Sequence, residues 1–424
     1  MQLPDLYDIY LQHTSIQTDT RKLKQGDIFF ALKGPSFNGN TFAKQALDTG
    51  AAYVVADESV GFSDNRIIPT EDALQTLQEL AKYHRQQFDI PFIAITGSNG
   101  KTTTKELVHE VLNSTYTTYT TKGNLNNHIG IPLTILSVGM DAEMAVIEMG
   151  ANHQKEIESY CNYTLPTHGI ITNCGKAHLE GFGGIEGVRK GKGELYDYIR
   201  ANDATIFLMK DYDYLIEMSK GIHNIKTYGT ADADIVGIAG SSKEMLEVNM
   251  LKGTKIKNIQ THLVGEYNLP NVLAAVAVGK YFNVPDEKIK SALENYIPSN
   301  SRSQLIEKDS NKIILDAYNA NPSSMKVAIE NIAKIGGDKV LLLGGMMEMG
   351  EESLKEHQAL IDLISKYNWK DVVLVGGDFS KINNPYIYFT NSVEAGKWLK
   401  EQYYTNTTIL VKGSRSMQME KVLE

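Results

Sequence analysis

The stretch that decides the fold is IPFIAITGSNGKTTTKELVHEVLNS, residues 90–114. Its first part is apolar and β-branched, which predicts a strand buried inside a parallel sheet. Its last part has the apolar spacing of a helix. The turn between them holds Gly97 and Gly100, but Ile95 stands where the usual phosphate-loop pattern G-x-x-x-x-G-K-[ST] has its first glycine. The sequence therefore predicts a phosphate loop that is two residues tighter than the standard one.

The predicted loop offers the groups that a nucleotide phosphate needs. Backbone N–H groups of the turn and of the helix N-terminus point toward one place, which suits an anion. Lys101 would lie beside the β- and γ-phosphates, and the hydroxyl of Thr102 would ligate Mg²⁺. The alternative is an ordinary strand-to-helix connection, which the flanking strand and helix disfavour. The loop does not name a reaction, because kinases, ATPases and ATP-dependent ligases all use one.

Length and composition limit the class of protein. The chain has 424 residues, 42% hydrophobic and 22% charged, which is ordinary for a globular protein of roughly two to four domains. A net charge of −9 without a long basic run argues against nucleic acid as a partner. The first residues have no signal-peptide pattern, and no apolar run approaches the roughly 20 residues of a membrane helix. We expect a cytoplasmic protein whose cysteines, Cys161 and Cys174, are reduced and buried.

The order of apolar runs predicts three α/β domains. Residues 1–86 hold short buried strands in GDIFFALKG and GAAYVVAD and end with an amphipathic helix, which predicts a small α/β unit. In residues 87–299 strand and helix alternate, which predicts a doubly wound parallel sheet, and short alternating segments at 225–262 predict a small antiparallel sheet attached to it. Residues 300–424 carry four further buried-strand candidates with helices between them, which predicts a Rossmann-like domain.

Polar side chains in the central block follow its predicted strands. MAVIEMG puts Glu148 at the carboxyl end of a strand, where doubly wound sheets bind ligands and a carboxylate can hold Mg²⁺. IITNCGKAHLEGF brings His178 into a glycine-rich loop at the same edge. Each of these residues could instead be an ordinary exposed or structural side chain. RKGKGELYDYI places Lys190 and Lys192 near the start of a helix, either as a solvated basic turn or as a neutral lysine that takes up CO₂ and becomes a carbamate ligand for a second Mg²⁺.

These motifs resemble those of the Mur ligases, the ATP-dependent amide-forming enzymes of peptidoglycan synthesis, over essentially the full length. TGSNGKTTTKE is similar to the family's tight phosphate loop, T-G-x-x-G-K-T. EMGANH resembles its magnesium glutamate segment, and NCGKAHLEGFGG resembles its histidine segment. KGELYD resembles the segment with the carbamylated lysine, which would be Lys192 and not Lys190. The resemblance implies ATP and two Mg²⁺ ions as cofactors.

The resemblance also assigns roles to residues by position. The residues implied to bind ATP are Gly97, Ser98, Asn99, Gly100, Lys101, Thr102, Thr103, Asn271, Arg302, Asp316 and Asn319. Thr102 and Glu148 would hold one Mg²⁺, while His178 and carbamylated Lys192 would hold the second. The implied catalytic residues are Lys101, Glu148, His178 and Lys192.

Within the nucleotide site, Asn271 and Asn319 would flank the adenine, and Arg302 and Asp316 would reach the phosphates and the ribose region. The residues implied for the other substrates form two groups. Those near the uridine would be Asp19, Thr20 and Arg21. Those near the substrate peptide or the closed domain interface would be Lys412, Ser414 and Arg415.

Within the family, DAYNANPSSM, KGSRSMQME and LGGMMEMGEES with His357 resemble the last of the four ligases, which adds D-alanyl-D-alanine. The D-N-P-R motif of the enzyme that adds the third amino acid is absent from this sequence. TDTRKLKQGDIFFALKG resembles the domain that holds the UDP end, although the family often has Asp-Gly-His where this chain has Asn38, Gly39 and Asn40. The implied substrates are UDP-MurNAc-tripeptide and D-Ala-D-Ala, joined by a monomer through an acyl phosphate.

Other functions use the same loop. A folylpolyglutamate synthetase or a sibling Mur ligase would join different substrates. A phosphotransferase or plain ATPase would release phosphate without an amine acceptor. A nucleotide-binding regulatory protein could lose Glu148, His178 or Lys192, all of which are present. Whether the third residue of the peptide is diaminopimelate or lysine stays open.

Overall fold

The structure is a computed structural model that describes residues 1–242, 245–299 and 301–424. Residue 300, where the third predicted domain begins, lies outside the described residues. Internal contacts divide the chain into two compact units. The first comprises residues 1–94, 116–150 and 156–169, and the second comprises residues 95–115, 151–155 and 170–424. The domain boundaries drawn from the sequence stay predictions.

The N-terminal segment is the predicted small α/β unit. Its elements are α1 Leu3–Gln12, β1 Ile16–Gln17, β2 Ile28–Phe30, β3 Lys33–Gly34, β4 Phe37–Asn38, α2 Ala43–Thr49, β5 Tyr53–Ala56, β6 Ile67–Pro69 and α3 Ala73–Arg85. Within residues 1–90, all of them described, β1, β2, β5 and β6 form a parallel sheet in that order. Asp72 begins α3 by accepting a hydrogen bond from the Gln75 N–H at 2.9 Å.

The central segment alternates strands and helices, as the sequence predicts. Its elements are β7 Phe92–Thr96, α4 Lys101–Asn113, β8 Thr118–Thr120, α5 Gly130–Leu136, β9 Met144–Glu148, α6 Glu156–Thr164, β10 His168–Ile171, α7 Leu179–Phe182, α8 Ile185–Ala201, β11 Thr205–Met209, α9 Asp213–Met218, β12 Asn224–Gly229, β13 Ile235–Ala239, β14 Met245–Lys252, β15 Asn258–Val264, α10 Leu269–Tyr281 and α11 Asp286–Asn295. In the described part of the chain these strands form one sheet, in the order β15-β14-β13-β12-β11-β10-β7-β9-β8.

The predicted small antiparallel sheet is confirmed and is continuous with the central one. β13, β14 and β15 pair antiparallel, with Ile238 opposite Asn249 and Val248 opposite Ile259. The attachment is made by β12, which pairs parallel with β11 on one side and with β13 on the other. The sequence of β12, NIKTYG, lacks the apolar run of a buried strand, so the sequence pattern does not predict this strand.

The C-terminal segment is the predicted Rossmann-like domain. Its elements are β16 Gln304–Lys308, β17 Asn311–Asp316, α12 Pro322–Ala333, β18 Asp338–Gly344, α13 Ser353–Ile364, β19 Asp371–Val375, β20 Ile387–Phe389, α14 Ser392–Glu401 and β21 Thr407–Lys412. The sheet order is β16-β17-β21-β18-β19-β20, with only β16 antiparallel to its neighbour among residues 301–424. Asp316 and Lys412 are paired in register, so their side chains and the residues after Gly344 meet at one sheet edge.

The helix that carries the two candidate lysines begins earlier than the sequence predicts. α8 begins at Ile185, so Lys192 lies two turns inside the helix and not near its start. Glycines weaken the helix signal here. The structure explains them by close packing, because a Cβ on Gly187 would lie 1.8 Å from the Phe182 carbonyl oxygen and one on Gly191 would lie 2.4 Å from the Phe182 ring.

Two expectations from composition can be compared with the structure. Cys161 and Cys174 are buried thiols that form no disulfide, as predicted. Burial raises the pKa of the Cys174 thiol to about 12, although Lys192 and Arg189 oppose the rise. No helix in the described residues is long and apolar enough to cross a membrane.

Candidate active site

The phosphate loop joins β7 to α4 with two glycines in backbone conformations that other residues rarely adopt. Gly97 has φ 141° and Gly100 has φ 80°. A Cβ on Gly97 would lie 2.0 Å from the Thr172 hydroxyl, and a Cβ on Gly100 would lie 2.6 Å from the Asn271 amide oxygen. Both positions therefore require glycine, for the backbone conformation and because neighbouring side chains leave no room for a Cβ. This accounts for the short spacing between Gly97 and Gly100 in the sequence.

Two residues after β10 hold the loop rigidly in place. The Ser98 N–H donates to the Asn173 carbonyl oxygen at 2.9 Å, and the Asn99 N–H donates to Oδ1 of the Asn173 side chain at 3.1 Å. The Asn99 carbonyl oxygen accepts from Thr172 Oγ1 at 2.6 Å and from Asn173 Nδ2 at 3.0 Å. The loop conformation is thus fixed by hydrogen bonds before any ligand binds, which is the condition for a preorganised anion site.

The charged and hydroxyl groups of the loop, on Lys101 and Thr102, lie at the start of α4. Lys101 Nζ donates to the carbonyl oxygens of Gly97 at 2.7 Å and Ser98 at 3.3 Å, so its charge lies over the loop. Thr102 is buried in the first turn of α4. Asn271 faces the same helix, with Oδ1 accepting from Thr104 Oγ1 at 3.0 Å. Its predicted place beside the adenine stays a prediction, while its contacts here support the phosphate loop.

Glu148 ends β9 in the first compact unit, as predicted. Its side chain is buried, and Oε1 accepts a hydrogen bond from Asn126 Nδ2 at 2.8 Å. The backbone N–H of Glu148 donates to Thr121 Oγ1 at 2.9 Å. The carboxylate therefore has a fixed direction, which a carboxylate ligand to a metal ion needs.

His178 lies just before α7 with a left-handed backbone, φ 52°. Its side chain is 24% exposed, and its Nδ1 contacts the Glu348 carboxylate in a short hydrogen bond. This contact holds the pKa of Glu348 below its usual range. Within the described residues no other hydrogen bond reaches the His178 ring, which leaves Nε2 open to a ligand.

Burial separates Lys192 from Lys190. Lys190 is exposed, whereas Lys192 is 1% exposed on the inner face of α8. Lys192 Nζ donates to the Ala151 carbonyl oxygen at 2.9 Å and lies 4.9 Å from the centre of the Phe182 ring. Glu194 on the same helix accepts from the Lys155 N–H at 2.6 Å. α8 therefore grips both ends of the segment 151–155, which follows the EMG of the glutamate motif.

The C-terminal candidates form a cluster at the carboxyl edge of their sheet. Lys412 Nζ pairs with Asp316 Oδ2 at 2.5 Å and is buried, although the sequence assigned these two residues to different substrates. The Asn319 carbonyl oxygen lies 3.5 Å from the same ammonium. Ser414 Oγ accepts from the Met347 N–H at 3.0 Å. Arg415 is exposed and pairs with Glu420 at 2.9 Å, so it lies outside this cluster of contacts.

Arg302 offers an unpaired donor. Its guanidinium lies 3.5 Å above the ring of Tyr318, and its Nε is buried with no hydrogen-bond partner in the described residues. A buried donor of a cation without an acceptor is unfavourable, and an anionic ligand would remove that penalty. This agrees with the predicted role of Arg302 toward nucleotide phosphate.

Sequence reasoning did not assign Asn321, which joins the start of α12 to the phosphate loop, or Ser323, which joins α12 to the segment after β10. Asn321 Nδ2 donates to Asn99 Oδ1 at 2.7 Å, and the return bond is 3.5 Å long. Ser323 Oγ accepts from the Lys176 N–H at 3.0 Å. The sequence did offer one signal, Asn321 followed by Pro322, which is a typical helix start. That signal predicts a helix cap but does not predict the second contact of Asn321, with Asn99.

The predicted uridine residues form a turn in the first compact unit. Thr20 begins a short 3₁₀ turn, residues 20–22. Arg21 grips Asp19 through Nε and Nη2, both at 2.8 Å, and this pair lowers the pKa of Asp19 to about 2. In the same N-terminal segment, Asn40 Nδ2 donates to Asp57 Oδ1 at 2.8 Å and to Asn38 Oδ1 at 3.0 Å. Asn38 and Asn40 are therefore parts of one hydrogen-bond network.

Among the described residues no three His, Cys, Asp or Glu side chains are grouped so that they could hold a metal ion.

Family models match three parts of the chain. The Mur ligase middle domain matches residues 95–279, and the Mur ligase glutamate ligase domain matches residues 301–415. The catalytic domain of the Mur ligase family matches residues 12–85. Together these three matches cover most of the chain.

Curated proteins match over the whole length. The UDP-N-acetylmuramoyl-tripeptide--D-alanyl-D-alanine ligase of Bacillus subtilis is 34% identical, over 96% of this chain and 92% of its own length. The protein of the same name from Escherichia coli K12 is 33% identical, over 100% of this chain and 96% of its own length.

Solved structures of the same kind superimpose closely. A crystal structure of MurF from Acinetobacter baumannii has a TM-score of 0.89 at 30% identity and covers 96% of this chain and 92% of that chain. MurF ligase from Thermotoga maritima in complex with ADP has a TM-score of 0.88 at 26% identity and covers 97% of both chains.

Proposed function

This chain belongs to the Mur ligase family, and we propose that it adds D-alanyl-D-alanine to UDP-MurNAc-tripeptide with the hydrolysis of ATP to ADP and phosphate. The product is UDP-MurNAc-pentapeptide, a precursor of peptidoglycan. The observation that carries the proposal is full-length similarity, at 33–34% identity, to ligases named for this reaction. The phosphate loop and the side chains around it are consistent with the nucleotide half of that chemistry.

ATP is bound by the loop 97–103 and by groups that converge on it. The preorganised N–H groups at the start of α4 receive the phosphate oxygens. Lys101 exchanges its contacts with the Gly97 and Ser98 carbonyl oxygens for contacts with phosphate oxygens. The Nε–H of Arg302 donates a hydrogen bond to an anionic oxygen of the nucleotide. The ADP named for the Thermotoga maritima relative supports a nucleotide here. The adenine contacts proposed for Asn319 and Asn271 rest on the family resemblance.

Magnesium fits the donor set that the chain provides. Thr102 and Glu148 are proposed to hold one ion, and His178 with a carbamylated Lys192 a second. The buried Glu148 carboxylate is an oxygen donor of the kind that Mg²⁺ prefers. His178 is assigned on the family resemblance, and its Nε2 is open to a ligand. A protonated lysine cannot bind a cation, whereas a carbamate supplies oxygen, which is why the carbamate is part of the proposal. When bound, Mg²⁺ supplies positive charge to the phosphoryl group that is transferred.

The reaction needs two steps because a free carboxylate does not form an amide directly. A terminal carboxylate oxygen of the tripeptide bonds to the γ-phosphorus, and the bond from that phosphorus to the bridging oxygen breaks to release ADP. The amine of D-Ala-D-Ala then attacks the acyl carbon. It loses a proton as the bond to phosphate breaks. Lys101 stabilises the negative charge that develops on the phosphoryl oxygens.

The other substrate groups are assigned on the resemblance. The turn at Asp19, Thr20 and Arg21 is proposed to lie near the uridine. Lys412, Ser414 and Arg415 are proposed to lie near the substrate peptide or the closed domain interface. The ion pair of Lys412 with Asp316 would also orient that carboxylate. A monomer that acts in the cytoplasm is proposed on the same ground.

A ligation assay tests the function. The protein is incubated with ATP, Mg²⁺, UDP-MurNAc-tripeptide and D-Ala-D-Ala, and UDP-MurNAc-pentapeptide is measured by mass spectrometry. We expect pentapeptide and ADP in equal amounts, and no pentapeptide from Lys101→Ala. Tripeptides with lysine or diaminopimelate at the third position are compared in parallel. Folded protein that makes no pentapeptide, or that releases phosphate equally well without an amine acceptor, would contradict the proposal.

A spectroscopic experiment tests the carbamate. The protein is equilibrated with ¹³C-bicarbonate, and a carbamate carbon is sought by ¹³C NMR. We expect one bound signal in the parent protein, retained in Lys190→Ala and lost in Lys192→Ala. Activity of Lys192→Ala should stay low in high bicarbonate. A signal that survives Lys192→Ala, or near-normal activity of that variant, would reject the modified lysine.

A further inference from the structure

The contact between His178 and Glu348 joins residues 170 positions apart. Glu348 lies in the loop that follows β18 of the C-terminal domain, and His178 lies before α7 of the central domain, both within the second compact unit. The Glu348 carbonyl oxygen also accepts a hydrogen bond from the Glu180 N–H at 3.3 Å. Glu348 therefore holds the start of α7 with its backbone as well as its side chain.

The loop that presents Glu348 is firmly anchored on its own domain. The Gly345 N–H donates to the Val375 carbonyl oxygen at 3.0 Å. The Met346 N–H donates to His357 Nε2 at 3.0 Å, and the Met347 N–H donates to Ser414 Oγ at 3.0 Å. Three consecutive N–H groups are thus fixed directly before Glu348. A loop built in this way directs its next side chain and does not leave it to chance.

Both partners of the contact have a left-handed backbone. Glu348 has φ 59°, in a region that glutamate seldom adopts, and His178 has φ 52°, in the same region, where histidine is more common than most residues. Such conformations persist only where the surrounding structure imposes them, and they concentrate at functional sites. An incidental surface ion pair between flexible side chains would need neither backbone.

We propose that Glu348 is the positioning residue for His178. It accepts the Nδ1 hydrogen, fixes the tautomer and ring direction, and so leaves Nε2 as the nitrogen that donates to the second metal ion. A carboxylate on the remote nitrogen also makes an imidazole a stronger ligand. The inference rests on the proposed function, in which His178 is a metal ligand.

This assignment makes the C-terminal domain part of the metal site without giving it a metal ligand. The second ion binds tightly only when the 345–350 loop lies against α7. The orientation of His178 then depends on Glu348. His357 and Ser414 affect His178 indirectly, because they hold the loop that carries Glu348.

The experiment measures metal binding directly. Mn²⁺ replaces Mg²⁺, a non-hydrolysable ATP analogue is present, and free Mn²⁺ is followed by electron paramagnetic resonance during a titration. Glu348→Gln removes the charge of the acceptor and keeps its shape. Glu351→Gln, an exposed residue of the same acidic run, is the matched control.

We expect Glu348→Gln to weaken the second Mn²⁺ by about 10- to 100-fold, as removal of an outer partner of a metal-bound histidine typically does. The first Mn²⁺ should change by about twofold or less, since Glu348 does not contact its proposed ligands. Glu348→Asp should recover part of the loss, and Glu351→Gln should bind both ions like the parent.

The inference falls if Glu348→Gln binds both ions like the parent, or if it weakens both equally together with a lower melting temperature. It also falls if the parent binds one Mn²⁺ only. In each case the ligation assay decides the proposed function separately, because it uses the parent protein and measures pentapeptide, whichever residue orients His178.

Discussion

The two histidines picked out by the sequence, His178 and His357, occupy opposite environments. His357 is 0% exposed and uses both ring nitrogens, Nε2 toward the Met346 N–H at 3.0 Å and Nδ1 toward the Ser353 carbonyl oxygen at 2.8 Å. His178 is 24% exposed and uses one nitrogen, toward Glu348. His178 lies in a glycine-rich loop and His357 in helix α13, but neither sequence pattern says which ring nitrogens are already bonded.

The difference teaches where to look for chemistry. A side chain whose polar atoms are all bonded inside its own domain is a part of the framework, since a ligand would have to break those bonds. A side chain with one fixed nitrogen and one open nitrogen is oriented but available. By this criterion His357 stabilises a loop, whereas His178 is oriented and its Nε2 is available to a ligand.

The largest expected effect is on catalysis at His178. His178→Gln should lower kcat/KM for pentapeptide synthesis by about 10³-fold, because loss of a metal ligand removes several kcal/mol of charge stabilisation. Unfolding free energy should change by less than about 0.5 kcal/mol at this partly exposed position. Steady-state kinetics and urea denaturation measure the two. A variant that keeps more than a tenth of the activity would break the comparison.

The second effect is on stability at His357. His357→Phe fills a similar volume but leaves the buried Met346 N–H without an acceptor, so unfolding free energy should fall by about 2 kcal/mol. At a temperature where the variant is folded, its activity should fall much less than that of His178→Gln. Urea denaturation and faster hydrogen exchange of the Met346 amide check this. Unchanged exchange would show that the framework role is wrong.

Much of the fold could be predicted because its signals are local. Buried parallel strands are continuous apolar runs, and the strand–glycine–helix order around Gly97 fixes the phosphate loop within about ten residues. Glu148 could be placed at a sheet edge because it ends such a run. Short polar strands such as β8, with sequence TYT, carry no such signal and become strands only through pairing with β9.

The contacts that complete the site could not be predicted, because no local pattern encodes them. Glu348 lies inside a segment that the sequence singled out, yet its partner is 170 positions away. The pairing of Lys412 with Asp316 arises from strand register between β21 and β17, which are 96 positions apart. In contrast, the burial of Lys192 and exposure of Lys190 follow from α8 packing, and they agree with the choice made from the motif.

The pH dependence of stability sharpens the comparison at His357. Burial lowers the pKa of His357, and it lowers the pKa of His168 to about 4. The unfolded chain therefore takes up protons below about pH 6.5 that the folded chain refuses, so stability is present above that pH and is lost as pH falls. Each histidine contributes up to about 1.4 kcal/mol per pH unit between 6.5 and its folded pKa.

The measurement compares the parent with His357→Phe at pH 7.5 and pH 5.5. Because the variant lacks the His357 imidazole, its deficit in unfolding free energy should be smaller at the lower pH, by at most about 1.4 kcal/mol. Carboxylates titrate in both proteins and cancel in the difference. A deficit that is the same at both pH values would mean that His357 is not held neutral.

The smallest effect tests both halves of the comparison in one residue, Asn321. Its Oδ1 caps α12 by accepting the Ser324 N–H at 2.9 Å, while its Nδ2 reaches Asn99 in the phosphate loop. Asn321→Ser keeps a capping oxygen but is too short for the loop, so stability should change by less than about 0.5 kcal/mol. KM for ATP should rise about three- to fivefold, the worth of one hydrogen bond near 1 kcal/mol. Asn391→Ser, the same change at the cap of α14, should leave KM unchanged. Equal KM values in the two variants would make Asn321 a cap only, and its contact with Asn99 would then contribute nothing to nucleotide binding.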